Sequence, residues 1–372
     1  MTEAKGNKAI KQEKSTLPKV RVGISIGDIN GIGPEVVIKA LGDNRMLINC
    51  TPIVYGSSKV LSFYNKQLRV RDFNYQTIKS ADEAKNKKIS VINSWNDDVK
   101  IEPGQTNETG GNCAFKALEA ATQDLASGKI DVLVTAPISK DAMGKVGFNF
   151  PGHTEYLADL AGEDDALMIM ATGSLRVALV TTHIPIKDVS SSLSIDRVHS
   201  KISEFAASLR RDFGIIRPKI AVLGLNPHAG ENGKMGEEES ESISPAINKA
   251  KGEGILAFGP YPADGFFGSG ARANYDGVLA MYHDQGLTAF KALAFDEGVN
   301  VTAGLPIVRT SPDHGTAFDI AGQNKASEAS MRQAIYQAID IHRNRNFEKE
   351  ITANPLEAQP KGSSKKKKEE SE

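Results

Sequence analysis

The sequence carries few cross-links of its own. It has two cysteines in 372 residues, Cys50 and Cys113, and neither belongs to a CxxC pair. That excludes a disulfide scaffold and a thiolate metal site, and it fits the reducing cytoplasm. An excess of one charge is also lacking. The formal net charge is −1, so no overall field draws the chain to nucleic acid or to an anionic membrane, although a local basic pocket for a phosphate is still allowed. No apolar run approaches the roughly 20 residues that span a bilayer. Met1 to Lys19 is polar and lysine-rich and has no apolar signal core, so secretion is not expected. There is no internal repeat, no GxGxxG dinucleotide fingerprint and no Walker A loop.

What is present is an ordinary globular composition, 40% apolar and 24% charged, with a length that suggests two compact domains. Both ends read as disordered tails. Residues 1–18 lack hydrophobic periodicity, and residues 354–372 end in Lys365–Lys368 followed by Glu369, Glu370, Ser371 and Glu372. Such runs bury too little apolar surface to offset the cost of ordering. A solvated tail is therefore preferred to a nucleic-acid or targeting role for the four lysines.

Between the tails, short apolar strands alternate with helices. Val20–Ile26, Ile130–Thr135, Arg176–Thr181, Lys219–Leu225 and Gly277–Met281 read as strands. Helices are expected from Pro34 through Leu41, over Asn112–Ser127 (closed by Gly128), Thr154–Ala161, Ile195–Phe213 (capped by Ser194), Ser240–Lys251 and from about Ser327. In the last of these, Met331, Ala334, Ile335, Ala338 and Ile339 recur at helical spacing. The pattern is that of an α/β protein with a largely parallel sheet. Gly42–Thr109 is the stretch that reads least clearly.

Ligands of open α/β sheets bind beyond the carboxyl ends of the strands. Three strands in succession run into a histidine there: Thr181-Thr182-His183, Asn226-Pro227-His228 and Tyr282-His283-Asp284. Any one alone is more often a hydrogen-bonded loop residue. Three at equivalent strand ends, in a chain with seven histidines, point to a metal site with an open position, built on one rim or shared between subunits. Asp264 and Asp284 are either orienters or ligands of that site, or loop carboxylates bonded to local backbone. Pro151-Gly152-His153-Thr154-Glu155 offers a second cluster. Thr154 suits a helix N-cap, and a helix N-terminus welcomes an anion that His153 could touch. Lys291 and Arg309 are cations in apolar surroundings, so each either snorkels or has a partner, and a phosphate would serve. Asn300, between Val299 and Val301, needs a partner of its own. The glycine loop Gly27–Gly33 either cradles a ligand or permits a tight turn.

Seven segments carry a resemblance: GDINGIGPE, VTAPISK, PGHTEY, VTTHIP, GLNPHAGENGKMGEEE, AMYHDQG and GLPIVRTSPDHGTAFDIAG. In this order, over Val20 to Arg345, the chain closely resembles the 4-hydroxythreonine-4-phosphate dehydrogenase family of vitamin B6 biosynthesis. The resemblance implies two α/β/α domains similar to those of isocitrate and isopropylmalate dehydrogenases. Residues 19–145 with 303–348 would form the cofactor side, and residues 146–302 the metal, substrate and dimer side. The active site would lie in the cleft, completed across a homodimer. The resemblance further implies metal ligands at His183, His228 and His283, and substrate contacts at His153, Thr154, Lys291, Asn300 and Arg309. His314, Gly315, Thr316, Asp319 and Gly322 fall in a segment similar to the adenosine-binding loop of isopropylmalate dehydrogenases, which would let NAD or NADP bind without a GxGxxG motif. The ion would be divalent: Zn, Mg, Co or Mn. Ile29-Asn30 stands where many relatives have Pro-Ala, Gly265 follows Asp264 where others carry a bulkier residue, and residues 41–103 do not align convincingly.

The expected reaction is oxidation and decarboxylation of a small phosphorylated hydroxy acid, 4-phosphooxy-L-threonine. Lys291, His153 and Asp264 are the candidate proton acceptors. A 4-phosphothreonate or erythronate dehydrogenase is the nearest rival, and a phosphate acyltransferase a more distant one. Neither nucleic acid nor membrane is an expected partner.

Overall fold

A computed structural model describes residues 19–163 and 166–355. The expected tail 1–18 lies outside the described residues, as does 354–372 apart from Asn354 and Pro355. The strands are β1 (Val20–Ser25), β2 (Cys50–Gly56), β3 (Tyr75–Ile78), β4 (Ile89–Asn93), β5 (Val132–Thr135), β6 (Leu167–Thr172), β7 (Leu175–Leu179), β8 (Lys219–Leu223), β9 (Leu256–Tyr261), β10 (Gly277–Ala280), β11 (Val299–Ala303) and β12 (Arg309–Pro312). The helices are α1 (Gly33–Leu41), α2 (Met46–Asn49), α3 (Ser58–Leu68), α4 (Glu108–Ala126), α5 (Lys140–Lys145), α6 (His153–Ala161), α7 (Ile195–Arg211), α8 (Ser244–Gly252), α9 (Ala263–Gly268), α10 (His283–Ala294) and α11 (Ala329–Thr352). No helix among the described residues is long and apolar enough to cross a membrane.

The strands form one sheet in the order β3-β4-β2-β1-β5-β12-β11-β6-β7-β10-β8-β9. Pairing is parallel from β3 to β12 and again from β7 to β9. The pairings between these halves, β12–β11, β11–β6 and β6–β7, are antiparallel. The α/β class and the largely parallel sheet expected from the sequence are both present. Strands such as VLVT in β5 and GVLA in β10 are buried throughout because helices cover both faces.

Which face a residue takes decides where the site lies. Successive side chains alternate across a strand. On one face a single apolar core runs the width of the sheet, joining Val36 of α1, Ile335 of α11 and Phe205 of α7 to Val299 and Val301. On the other face there are two separate cores. One joins Leu118 of α4 and Tyr156 of α6 to Leu133. The other joins Leu287 and Phe290 of α10 to Val177 and Leu179. The gap between those two cores is where the central strands turn polar residues outward.

Local differences from expectation have identifiable causes. Thr154 is not an N-cap: Gly152 occupies that position, without a side-chain cap, and His153 begins α6. Helix α4 starts at Glu108, four residues before Asn112, because Asn107 caps it by accepting from Gly110 N–H at 2.9 Å. Gly110-Gly111, poor helix formers, hid that turn. Ser194 does cap α7, accepting from Arg197 N–H at 3.2 Å. Residues 42–109 hold α2, α3 and the strands β2, β3 and β4 of one sheet edge. Edge strands are short and half polar, as in YQTI of β3, so their period is weak.

Candidate active site

The gap between the two cores contains a cavity of about 190 Å³. Its lining includes Thr135, Lys140, His153, Thr154, Glu155, His183, Asn300, Arg309, Ser311, His314 and Gly315. Arg309 dominates it. The residue is 3% exposed. Its guanidinium donates to Thr135 Oγ1 from Nε (3.1 Å) and Nη2 (2.6 Å), and to Thr302 Oγ1 from Nη1 (3.0 Å). Hydroxyls orient a cation without neutralising it. Among the described residues no carboxylate pairs with Arg309 directly, and burial pushes its pKa down to about 10. A buried charge in this condition calls for an anion.

Three other lining residues each present a buried polar atom without a partner: His153 Nε2, Asn300 Oδ1 and His314 Nε2. Buried polar atoms are almost always satisfied, so three around one cavity mark the place of a polar ligand. Burial, reinforced by the charges of Arg309 and Lys140, holds the His153 pKa well below its ordinary value. The imidazole is neutral at pH 7 and able to accept or donate one proton. Burial lowers the pKa of His314 likewise.

His183 borders this cavity and a neighbouring one of about 320 Å³ that also reaches His283. The strands β7, β10 and β8 are neighbours, and His183, His283 and His228 follow their carboxyl ends. Side chains lock these ends together. Thr181 Oγ1 donates to Met281 O (2.8 Å), and Gln285 bridges Met281 N–H (2.7 Å) and Gly224 O (2.6 Å). His183 Nδ1 lies 3.2 Å from Glu155 Oε1, and His283 Nδ1 lies 2.6 Å from Asp284 Oδ1. The His183 contact holds Glu155 below its usual carboxylate range. Carboxylates on Nδ1 fix the rings and leave Nε2 for a metal.

The two ring centres are 6.2 Å apart. Two imidazoles on one ion at about 2.1 Å stand about 5 Å apart, so the pair lies within about 1 Å of a shared ligand geometry. His228 is exposed on the loop beyond β8, and among the described residues no three His, Cys, Asp or Glu side chains are gathered closely enough to hold an ion. The donors suit a divalent ion in type and in strand position, with two of the three imidazoles adjacent and His228 standing apart from them. His228 stands in a turn, Pro227–Gly233, where five consecutive residues from His228 to Asn232 have φ between 42° and 79°. Four of them carry side chains, and His228, Ala229 and Glu231 each cost about 1–2 kcal/mol in that conformation, which asparagine tolerates better.

The segment from His314 to Gly322 packs on the glycine loop. Ile32 N–H donates to Thr316 O at 2.9 Å. A Cβ on Gly31 would stand 2.9 Å from that oxygen, so glycine there permits the close approach. The loop Gly27–Gly33 is thus a buried support for the second segment. Gln67 Nε2 donates to Gly322 O (2.7 Å), and Gln323 Nε2 donates to Asp319 O (2.7 Å).

Lys291 and Asp264 lie outside the lining of the Arg309 cavity. Lys291 pairs with Asp313 Oδ1 at 3.2 Å, and Asp264 is exposed on α9. Of the three candidate proton acceptors, His153 alone lines that cavity. The cavity also uses Lys140, Glu155, Thr135 and Ser311, which were not among the expected site residues. Lys140 and Glu155 sit inside conspicuous segments, VTAPISK and PGHTEY, and could have been found there. Thr135 lies in VTAPISK too, at the carboxyl end of its strand, but its contact with Arg309 depends on β5 lying beside β12.

The sequence matches the model of the pyridoxal phosphate biosynthetic protein PdxA family over residues 48–338. It is 51% identical over 342 residues to the 4-hydroxythreonine-4-phosphate dehydrogenase of Bacteroides thetaiotaomicron, covering 92% of this chain and 94% of that one. It is 42% identical over 324 residues to an Oceanobacillus iheyensis protein provisionally named D-threonate 4-phosphate dehydrogenase, covering 86% and 97%. Among solved structures, the 4-hydroxythreonine-4-phosphate dehydrogenase of Klebsiella pneumoniae superposes with a TM-score of 0.74 at 37% identity, covering 87% of this chain and 98% of that one.

Proposed function

Since the chain belongs to the PdxA family of pyridoxal phosphate biosynthetic proteins, we propose that it oxidises and decarboxylates 4-phosphooxy-L-threonine to 3-amino-1-hydroxyacetone 1-phosphate and CO2, using a divalent metal and NAD or NADP. The observation that carries this reading is Arg309, a buried cation with hydroxyl partners only, facing a cavity ringed by unsatisfied polar atoms. That cavity has the scale of a small phosphorylated acid, not of a dinucleotide.

Arg309 and Lys140 take the anionic groups of the substrate, and the fixed guanidinium sets their direction. Asn300 and Thr154 align the carbon chain. His153, neutral and unpartnered at Nε2, accepts the hydroxyl proton in this reading. His183 and His283 would hold the metal, with His228 as the third ligand. When bound, the ion supplies Lewis-acid polarisation at the substrate's secondary hydroxyl, and the nicotinamide accepts a hydride. Holding the reacting carbon in one place supplies much of the rate. His314, Gly315, Thr316, Asp319 and Gly322 are the cofactor contacts in this reading, and Lys291, which pairs with Asp313, is a further substrate contact of the same reading. Residues 19–145 with 303–348 and residues 146–302 form the two domains, and a homodimer completes the cleft. The unpaired, buried thiols of Cys50 and Cys113 suit the cytoplasm.

A second reading, oxidation of 4-phosphothreonate, is favoured by the Oceanobacillus relative and uses the same residues. Metal-stripped enzyme, resupplied with Zn or Mg, is assayed for NAD and NADP reduction with each substrate. Turnover of the amino acid alone establishes the proposal, and turnover of the threonate alone moves it to the second reading. His183→Ala should abolish metal-dependent turnover of either; full activity in that variant would remove the proposed site.

A further inference from the structure

His228 sits in the longest left-handed run among the described residues, and left-handed residues in such a run persist only where their surroundings over-determine them. The surroundings are two carboxylates, Glu238 and Glu239, and the donors Asn226 and Ser190. Glu239, 5% exposed, accepts from Asn226 N–H at Oε1 (2.8 Å) and from Asn226 Nδ2 at Oε2 (2.9 Å). Glu238 accepts from Asn226 Nδ2 at Oε2 (2.7 Å) and from Ser190 Oγ at Oε1 (2.6 Å). Ser190 lies on the chain that leaves His183, and Asn226 lies two residues before His228. The two carboxylates thus join the loop of the first histidine to the loop of the third.

The backbone makes room for this arrangement. A Cβ on Gly224 would meet Glu239 Oε1 at 2.9 Å, and a Cβ on Gly230 would meet Oε2 at 2.6 Å. Gly230 is itself left-handed, with φ 79°. The carboxylate of Glu239 therefore fills the inside of the strained turn. Glu239 also opens a π-helical turn, Glu239–Ile243, a local feature common at functional sites.

We infer that Glu238 and Glu239, acting through Asn226 and Ser190, form a clasp that holds the turn Pro227–Gly233 in its left-handed conformation and so presents His228 toward the rim occupied by His183 and His283. These are positioning residues. The inference rests on the proposed metal role of the three histidines for the purpose of the clasp, though not for its existence.

The test uses the full-length protein in two states. In the metal-free state, hydrogen exchange followed by mass spectrometry reads the turn directly. Glu239→Gln should raise exchange over residues 227–233 about tenfold or more while other segments keep their protection. Ser190→Ala, an exposed site that cannot unfold the chain, should do the same to a smaller extent. In the second state, calorimetric titration with Zn or Co should show Glu239→Gln binding the ion about 10- to 100-fold more weakly than wild type. Turnover of that variant should recover at high ion concentration, which a general structural lesion would not permit. Unchanged exchange over 227–233 in both variants overturns the clasp. Raised exchange with unchanged ion affinity overturns its positioning role. A wild-type protein that binds no ion while Glu239→Gln still loosens the turn overturns the metal reading and leaves the clasp as a loop anchor only.

Discussion

Asp28 is a carboxyl group held where a carboxylate is unwelcome, and its replacement by asparagine tests that reasoning quantitatively. The residue is 0% exposed. Its Oδ1 accepts from Asn30 N–H at 2.9 Å, while its Oδ2 is buried without a partner. Burial raises its pKa from 3.8 to about 6, against the opposing effect of the Asn30 hydrogen bond. A shift of about two units corresponds to about 3 kcal/mol between the folded and unfolded states. Because the folded pKa is the higher one, the folded chain holds the proton more tightly. The resulting stability is fully present below about pH 4, is lost as pH rises toward 6, and is absent at pH 7. Asparagine keeps the Oδ1 acceptor and carries no charge. In thermal or urea unfolding of metal-free protein, Asp28→Asn should therefore gain on wild type progressively between pH 4 and pH 6.5, by up to about 3 kcal/mol, and hold that gain at pH 8. The backbone bond from Asp28 N–H to Pro137 O, which braces the wall of the Arg309 cavity at 2.9 Å, is unaffected, so turnover should change little. Parallel stability curves for the two proteins across that range would refute the account of Asp28 as a buried, unsatisfied carboxyl.

Arg309→Met removes a buried charge that the fold itself does not neutralise. It should lower kcat/KM by about 10²–10³, the loss of a charge-assisted anion contact, while unfolding of the ligand-free protein shows equal or greater stability. Clear destabilisation would mean that Arg309 serves the fold and not a ligand. Gly31→Ala places a Cβ 2.9 Å from Thr316 O and must displace the segment from His314 to Gly322. Steady-state kinetics should show the KM for the nicotinamide cofactor rising about fivefold, roughly 1 kcal/mol, with the metal affinity unchanged. An unaltered cofactor KM would dissociate that segment from cofactor binding.

The sequence carried a large part of this on its own. Nearly continuous apolar runs such as VLVT and GVLA marked interior parallel strands because a strand covered on both faces shows no alternation of polar and apolar sides. Helix α11 was visible because Met331, Ala334, Ile335, Ala338 and Ile339 share one buried stripe. The three histidines could be singled out because a ligand in an open α/β sheet meets the residues just past each strand's carboxyl end, and that depends on chain order alone. Asn300 and Arg309 stood out as polar groups in apolar runs, and both line the cavity.

Tertiary structure decided what chain order cannot carry. That β10 lies between β7 and β8 makes neighbours of residues far apart in sequence, since strand order is set by packing of the crossover helices. Only the pairing of β5 with β12 brings Thr135 to Arg309 across 174 positions. Strands β11 and β12 turn Asn300, Thr302, Arg309 and Ser311 to one face, split it into two cores and leave the polar gap that became the cavity. The left-handed turn bearing His228, and the carboxylates of Glu238 and Glu239 that fill and flank it, left no periodic trace, because backbone strain is a property of what surrounds a loop and local sequence does not record its surroundings. Composition and period determined the class, the strands and the candidate chemistry of this protein. Long-range packing, whose partners are distant in sequence, determined which of those residues meet.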